Sequence, residues 1–400
     1  MPWITTDAHA ESRLSGDTIR VLSESLSTTA YTNSAGGTHS FYSYPARFHP
    51  EVARDVISAF SRRGSWVLDP FMGGGTSIVE GLTLGRRMVG IDINSLAHFV
   101  SDVRTQPLSP ADEDSVRRWA DRAAVRLVDP DLSWVELAGI RNLPRATELF
   151  MAGALQLAAD MLPRRRAFAR AALLRLGQWA LDCRDFSAPR RSRLAERLPA
   201  YVDDMILGLR EFVASCRESG ISKNAITGHR MLLHRSAAGI DRDSRIRSLR
   251  SKPRLVFTSP PYPGVHVLYH RWQYRGRRET PAPYWIANRT DGAGLSYYCG
   301  GSRTPTGIRN YFEMIVSAFS SVARVLHRDG TVVQIVGFSR VAEQLPLYLT
   351  AMEQAGFYEV RSSDLHDDRI ERRVANRKWY AKLQGDVDAA TEYLLIHRLR

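Results

Sequence analysis

Cysteine is scarce in this chain. Its 400 residues include three, Cys183, Cys216 and Cys299, and none stands at a spacing that pairs it with another. A disulfide framework and a cysteine zinc site are therefore not expected, and a reducing cytoplasm is. No apolar run reaches the roughly 20 residues that a membrane helix needs. The opening MPWITTDAHAES lacks a basic start followed by an apolar core, so neither a signal peptide nor an anchor is expected. Two common glycine patterns are also missing, G-x-G-x-x-G and G-x-x-x-x-G-K-[ST], which weakens a dinucleotide or nucleoside-triphosphate reading.

Acidic residues are in deficit. Lys and Arg number 55 against 42 Asp and Glu, giving a formal charge of +13 and a pI near 9.9. Most of the excess is local, because residues 230–310 hold 15 Lys or Arg and 4 Asp or Glu. Such a concentration suits neutralisation of a phosphate backbone, although a solvated basic face has the same composition. The apolar fraction of 44% is ample for a soluble globular enzyme with one large domain or two ordinary ones.

The segment 1–37 is rich in Ser and Thr and reads as a tail, with one short helix over 18–26. His39 to Pro50 (HSFYSYPARFHP) then leads into a helix in which Val52, Val56, Ile57 and Phe60 share a face. Ser65 to Asp69 reads as a strand, Pro70 to Gly75 (PFMGGG) as a tight loop, and Thr76 as the cap of a helix ending at Gly85. Met88 to Asp92 is a second strand ending in an acid. Glycines between strand and helix let a ligand approach the backbone closely, and an acid at the second strand's end suits ribose hydroxyls.

From 108 to 222 the periodicity is helical, over 116–127, 149–162, 167–181 and 201–216, with few strand-like runs. A stretch of this length is too long for a loop in a compact domain and reads as an inserted helical subdomain. Leu255-Val256-Phe257 follows the Arg-rich 241–254 segment and stops at Thr258-Ser259-Pro260-Pro261-Tyr262. Proline ends a ladder, so Ser259 and Tyr262 are expected at a strand's carboxyl end, where open α/β sheets bind ligands. A hydroxyl, a carbonyl directed by Pro261 and an aromatic face suit a flat base with an exocyclic amine. A Pro-Pro turn with a packing tyrosine is the plainer alternative. Beyond it, 265–303 mixes aromatics with Arg271, Arg275, Arg277, Arg278, Arg289 and Arg303, a composition suited to an unpaired strand or to a loop packing its own aromatics. Helices over 311–326 and 343–355 alternate with strands over 330–336, 357–360 and 393–397.

Together these segments resemble the S-adenosylmethionine-dependent DNA amino methyltransferases. FYSYPARFHP (41–50) is similar to the family's N-terminal cofactor segment, DPFMGGGT (69–76) to its glycine loop, GIDIN (90–94) to its ribose-binding strand end, and SPPY (259–262) to its catalytic segment. Asn376 to Tyr380 and Tyr393 to His397 resemble the cytosine-N4 branch. The resemblance implies a Rossmann-like class I methyltransferase sheet with helices on both faces. It divides the chain into a tail (1–37), a catalytic domain (38–107 and 223–400) and a helical insertion (108–222).

The resemblance also implies a cofactor site of Phe41, Tyr44, Pro45, Asp69, Pro70, Phe71, Gly73, Gly74, Gly75, Thr76, Asp92 and Ile93, and catalysis by Ser259, Pro260, Pro261 and Tyr262. Arg235-Ser236-Ala237 departs from the acidic segment usual near the adenine. The helical insertion is the candidate for sequence reading from the family arrangement. From composition the candidate is the basic aromatic segment, with Arg271, Trp272, Arg275, Arg277 and Arg278. Double-stranded DNA is the expected partner, beside a restriction endonuclease in a bacterial or archaeal cytoplasm, with no metal and no membrane. Ser at the first position of SPPY tilts the target towards cytosine N4 over adenine N6. No cysteine follows a proline, which disfavours C5 chemistry. An RNA methyltransferase of the same fold and a non-catalytic DNA-binding module are the rivals.

Overall fold

The computed structural model describes residues 4–5, 13–14, 16–28, 36–44, 47–182, 187–263, 266–267, 272–275, 278–288, 298–299, 304–361, 369–374 and 390–400. Its central sheet is built from β1 (Trp66–Asp69), β2 (Arg87–Asp92), β3 (Arg230–His234), β4 (Leu255–Thr258), β5 (Thr331–Phe338), β6 (Phe357–Glu359), β7 (Ile370–Val374) and β8 (Ala390–Leu399). The strand order is β6-β8-β5-β4-β1-β2-β3, with β7 also on the outer edge of β8. β1 to β5 run parallel and β8 runs antiparallel to β5, paired along its whole length from Thr331↔Arg398 to Phe338↔Thr391. This is an open α/β sheet, parallel but for β8, in the strand order expected of a Rossmann-like class I methyltransferase sheet.

Alternation along the strands builds two cores. Val67, Met88, Leu255, Phe257, Val333 and Ile335 face one side, while Leu68, Val89, Val256, Val332 and Val336 face the other. The first side is covered by α1 (Gly16–Thr28), α2 (Pro50–Phe60), α3 (Thr76–Thr83) and α4 (Ser95–Arg104). The insertion adds α5 (Pro110–Arg126), α6 (Arg145–Leu157), α7 (Pro163–Leu181) and α8 (Arg191–Glu218), whose buried residues continue that core. A short helix, α9 (Ala282–Ala287), lies on the same side, and α10 (Pro305–Val325) and α11 (Val341–Gln354) cover the other.

Three local expectations change. Gly75, not Thr76, caps α3: it takes a left-handed φ of 78°, and Thr76 is the first helical residue. The helix at the start runs 16–28 and buries Ile19, Leu22 and Leu26 against the body, so part of the segment read as a tail is packed. β7 had no strand signal, because its residues, Ile-Glu-Arg-Arg-Val, are mostly charged.

The chain runs outward from β1 to β2 to β3 and then returns to β4 on the other side of β1. That reversal opens a crevice at the carboxyl ends of β1 and β4, the place where ligands bind in open α/β sheets.

Candidate active site at the switch point of the sheet

Asp69 ends β1 at this crevice, and Thr258 ends β4 beside it. The Thr258 hydroxyl donates to Asp69 Oδ1 at 2.6 Å, the Phe71 N–H donates to the same oxygen at 3.1 Å, and the Ser77 hydroxyl donates to Oδ2. Asp69 is fully buried, and burial pushes its carboxyl up to about 6 against those hydrogen bonds. Asp69 thus ties the glycine loop to the strand that carries Ser259-Pro260-Pro261-Tyr262. Thr258 and Ser77, its partners, were not among the sequence candidates, although Thr258 directly precedes them.

The loop folds back over β2. Met72 N–H donates to the Ile91 carbonyl at 2.9 Å and Gly73 N–H to Asp92 Oδ2 at 2.9 Å, while Asn94 N–H reaches Asp92 Oδ1 at 2.8 Å. With the Ile93 N–H also directed at it, the carboxylate still keeps acceptor capacity for an incoming donor. Burial raises this carboxyl to about 6, opposed by the Asn94 and Gly73 N–H groups, by His234 and by the Ile93 N–H. Next to it Ile93 is 51% exposed, an apolar side chain at the rim of the crevice. Gly75 admits no side chain, since a Cβ would stand 2.5 Å from Ser101 Oγ.

Of the remaining cofactor candidates, the Tyr44 ring packs on Gly73 and Gly74, and Thr76 and Pro70 are buried beneath the loop. The half-buried Phe71 ring meets Phe319 at 6.2 Å. Phe41 is 1% exposed and stands edge-on to Phe168 of α7 at 5.9 Å, so it braces the crevice wall. Pro45 lies outside the described residues. A residue that local pattern had not flagged joins these parts. Arg104 of α4 is fully buried and donates to the carbonyls of Gly74, His39 (3.0 Å) and Tyr42 (2.5 Å). Burial, with help from Arg47, lowers its pKa to about 9, so it remains a cation at neutral pH.

At the end of β4, Ser259, Pro261 and Tyr262 are half-buried and Pro260 is buried. The Tyr262 hydroxyl donates to Glu392 Oε1 at 2.9 Å. Asn94 accepts from the Tyr284 hydroxyl of α9 at 2.8 Å, which connects the basic aromatic segment to the rim beside Ile93. Cys216 is buried with its thiol pushed up to about 12 by burial, an inert position.

Among the DNA-contact candidates, Trp272 requires correction. It is 1% exposed, its ring presses on Gly177 of α7, and its indole N–H donates to the Tyr42 hydroxyl at 3.2 Å. It is a packing residue that stakes the segment to the insertion. Arg275 and Arg278 are exposed; Arg271 and Arg277 lie outside the described residues. Further contacts run between the same two regions. Tyr274 Oη accepts from Ala188 N–H at 3.0 Å, Asn142 donates to the Glu279 carbonyl at 2.9 Å, and Arg170 to the Ile286 carbonyl at 2.7 Å. Part of the basic excess is elsewhere: Arg250, Lys252 and Arg254 precede β4 and so stand at the opposite rim of the sheet from Tyr262.

A family model described as DNA methylase, N6_N4_Mtase, matches residues 11–99, which cover α1, the aromatic segment, the glycine loop and the Asp92 strand end. On this segment the chain is similar to the DNA methylases. It is 39% identical over 83 residues to the type II methyltransferase M.MvaI of Kocuria varians, covering 20% of this chain and 18% of that one. It is 29% identical over 68 residues to the type II methyltransferase M.MjaII of Methanocaldococcus jannaschii, covering 17% and 13%. The matched stretch thus spans under a fifth of either relative. A TehB-like SAM-dependent methyltransferase from Corynebacterium glutamicum overlaps 89% of this chain and 90% of its own at 7% identity, with a TM-score of 0.31, too slight a likeness to argue from. The fold rests on the strand order. The DNA methylase match begins inside the segment read as a tail and ends well before Ser259.

Among the described residues, no helix is long and apolar enough to cross a membrane, and no group of three His, Cys, Asp or Glu side chains stands where it would hold a metal ion.

Proposed function

We propose that this protein transfers a methyl group from S-adenosylmethionine to the N4 amine of cytosine in double-stranded DNA. The observation that carries the reading is the 2.6 Å hydrogen bond from Thr258 to Asp69, which couples the strand end bearing Ser259 to the glycine loop of the DNA-methylase segment. The crevice suits the cofactor. Asp92 keeps acceptor capacity for ribose hydroxyls, Ile93 offers an exposed apolar surface for a purine, and the glycine loop with Tyr44 leaves close backbone approach for the amino-acid part.

When bound there, S-adenosylmethionine supplies an electrophilic methyl group. The chain's own residues do the rest by orientation. A target amine inside a duplex cannot line up with that methyl, so the base is taken out of the stack. Tyr262 receives the base on its ring. The Ser259 hydroxyl and Pro260 carbonyl accept hydrogen bonds from the amine, which turns its lone pair out of conjugation, and Pro261 fixes the carbonyl's direction. No covalent enzyme intermediate is needed. Arg275 and Arg278 are the described candidates for phosphate contacts, with Arg271 and Arg277 added from sequence. Their segment and the insertion act as one DNA-facing unit, since the contacts from Trp272 to Gly177 and from Asn142 to Glu279 join them. The names of the two relatives, both type II methyltransferases, support a modification role; a restriction endonuclease as partner and the bacterial or archaeal cytoplasm as the setting belong to the same proposal.

Replacing Ser259 with Ala is expected to leave S-adenosylmethionine affinity unchanged and to slow methyl transfer by a factor on the order of 10–100, the loss of one oriented contact. Equilibrium dialysis and single-turnover transfer measure the two. Full activity in the variant removes Ser259 from the mechanism.

A further inference from the structure

Tyr262 is held at two points by a row of residues that runs across the sheet. Gly337 of β5 faces Glu392 of β8, and Glu392 faces Arg372 of β7, each as register partners. The Tyr262 ring lies against Gly337 so closely that an added Cβ would stand 2.6 Å from its Cε2 atom. The ring's hydroxyl reaches Glu392 Oε1 at 2.9 Å. Glu392 is 3% exposed, and its other oxygen takes two hydrogen bonds from Arg372, Nε at 2.8 Å and an Nη at 2.6 Å. Arg372 in turn donates to the Leu26 carbonyl in the last turn of α1 at 3.2 Å.

A buried ion pair contributes little net stability compared with a well-packed apolar pair, and its best-attested use is to fix one geometry. Here the geometry fixed is that of an aromatic ring. A stacking ring needs only its faces, so a phenylalanine would serve if orientation were free. The hydroxyl matters because it converts the orientation of the ring into a hydrogen bond with a carboxylate that cannot turn, locked from behind by Arg372.

We infer that Glu392 and Arg372 are positioning residues for the flipped base: they set the Tyr262 ring in the orientation that receives it, with Gly337 as the floor that brings the ring close to the sheet. The inference rests on the proposed methyl transfer. It adds two residues far along the chain from Ser259-Pro260-Pro261-Tyr262, on strands outside the DNA-methylase match.

The test compares full-length wild type with Glu392→Ala, Glu392→Gln, Tyr262→Phe, the Glu392→Ala/Tyr262→Phe double variant and Gly337→Ala. Single-turnover transfer of labelled methyl to mixed-sequence DNA is measured beside dissociation constants for S-adenosylmethionine. Wild-type cofactor affinity is expected throughout. Glu392→Ala and Tyr262→Phe each slow transfer about tenfold, and the double variant is no slower than either, because both cut the same tether. Glu392→Gln, which still accepts from the hydroxyl, recovers part of the rate. Gly337→Ala slows transfer with every tether residue present, by displacing the ring.

Additive losses in the double variant, or loss of cofactor binding in Glu392→Ala with normal transfer in Tyr262→Phe, mean that Glu392 is merely structural and overturn the inference. Should Glu392→Ala fail to fold, wild-type rates in both Tyr262→Phe and Gly337→Ala overturn it equally. A wild type that methylates no DNA overturns the parent reading and this one with it, an outcome distinct from active wild type with indifferent variants.

Discussion

In the proposed site Asp92 accepts hydrogen bonds from ribose hydroxyls as a carboxylate, and burial raises that carboxyl to about 6. On that proposal the cofactor binds the deprotonated form, whose share falls as pH drops through that value. Affinity for S-adenosylmethionine is expected to be flat above pH 7 and to weaken roughly tenfold for each unit below 6. Titration calorimetry from pH 5 to 8 checks this, and Asp92→Asn should bind weakly and without that slope. Asp69 has a similarly raised carboxyl but a different task. Both its oxygens are engaged with Thr258, Phe71 and Ser77, so it shapes the crevice from beneath.

Arg104 hydrogen-bonds the glycine loop to the aromatic segment, beside the Tyr44 ring that packs on Gly73 and Gly74. Removing the Arg104 guanidinium, as in Arg104→Met, leaves the buried Gly74 carbonyl without that donor at about 1–3 kcal/mol, while the His39 and Tyr42 carbonyls keep Arg47 and the Tyr44 N–H. The variant should unfold at lower denaturant and expose residues 36–44 to limited proteolysis, and wild-type resistance there would contradict the role. The loop itself was legible in the sequence because its glycines and flanking strands are contiguous. Arg104 was not, because its partners stand 30 to 65 positions away and a helical arginine reads as a solvated charge. The Tyr262 tether escaped for the same reason, with Glu392 separated from Tyr262 by 130 positions. Trp272 shows the converse error. Composition cannot distinguish a stacking aromatic from one that fills a gap beside a glycine, and Gly177 made the gap. Trp272→Ala should therefore cost on the order of 3–5 kcal/mol as a large-to-small core change. Arg275→Ala and Arg278→Ala should leave stability unchanged, weaken DNA binding, and lower its salt dependence by about one ion each.

At the scale of the whole molecule, the order of elements settled the sheet in advance, since strands alternating with helices around a glycine loop leave few topologies. The insertion's helices were equally readable from periodicity. Their placement was not: α8 packs on residues 37–41 and α3, and the insertion shares one continuous core with the sheet. That packing brings the two segments with separate claims to DNA reading into contact, with Tyr284 joining them to Asn94 at the rim of the crevice. The account's central claim is a chemical one, and one experiment addresses it directly. The protein is incubated with methyl-labelled S-adenosylmethionine and mixed-sequence duplex DNA, the DNA is digested to nucleosides, and the labelled nucleoside is identified by mass spectrometry. The account predicts N4-methylcytosine. Label in N6-methyladenine would contradict the role given to Ser259 in choosing the base, and DNA without label would contradict the account as a whole.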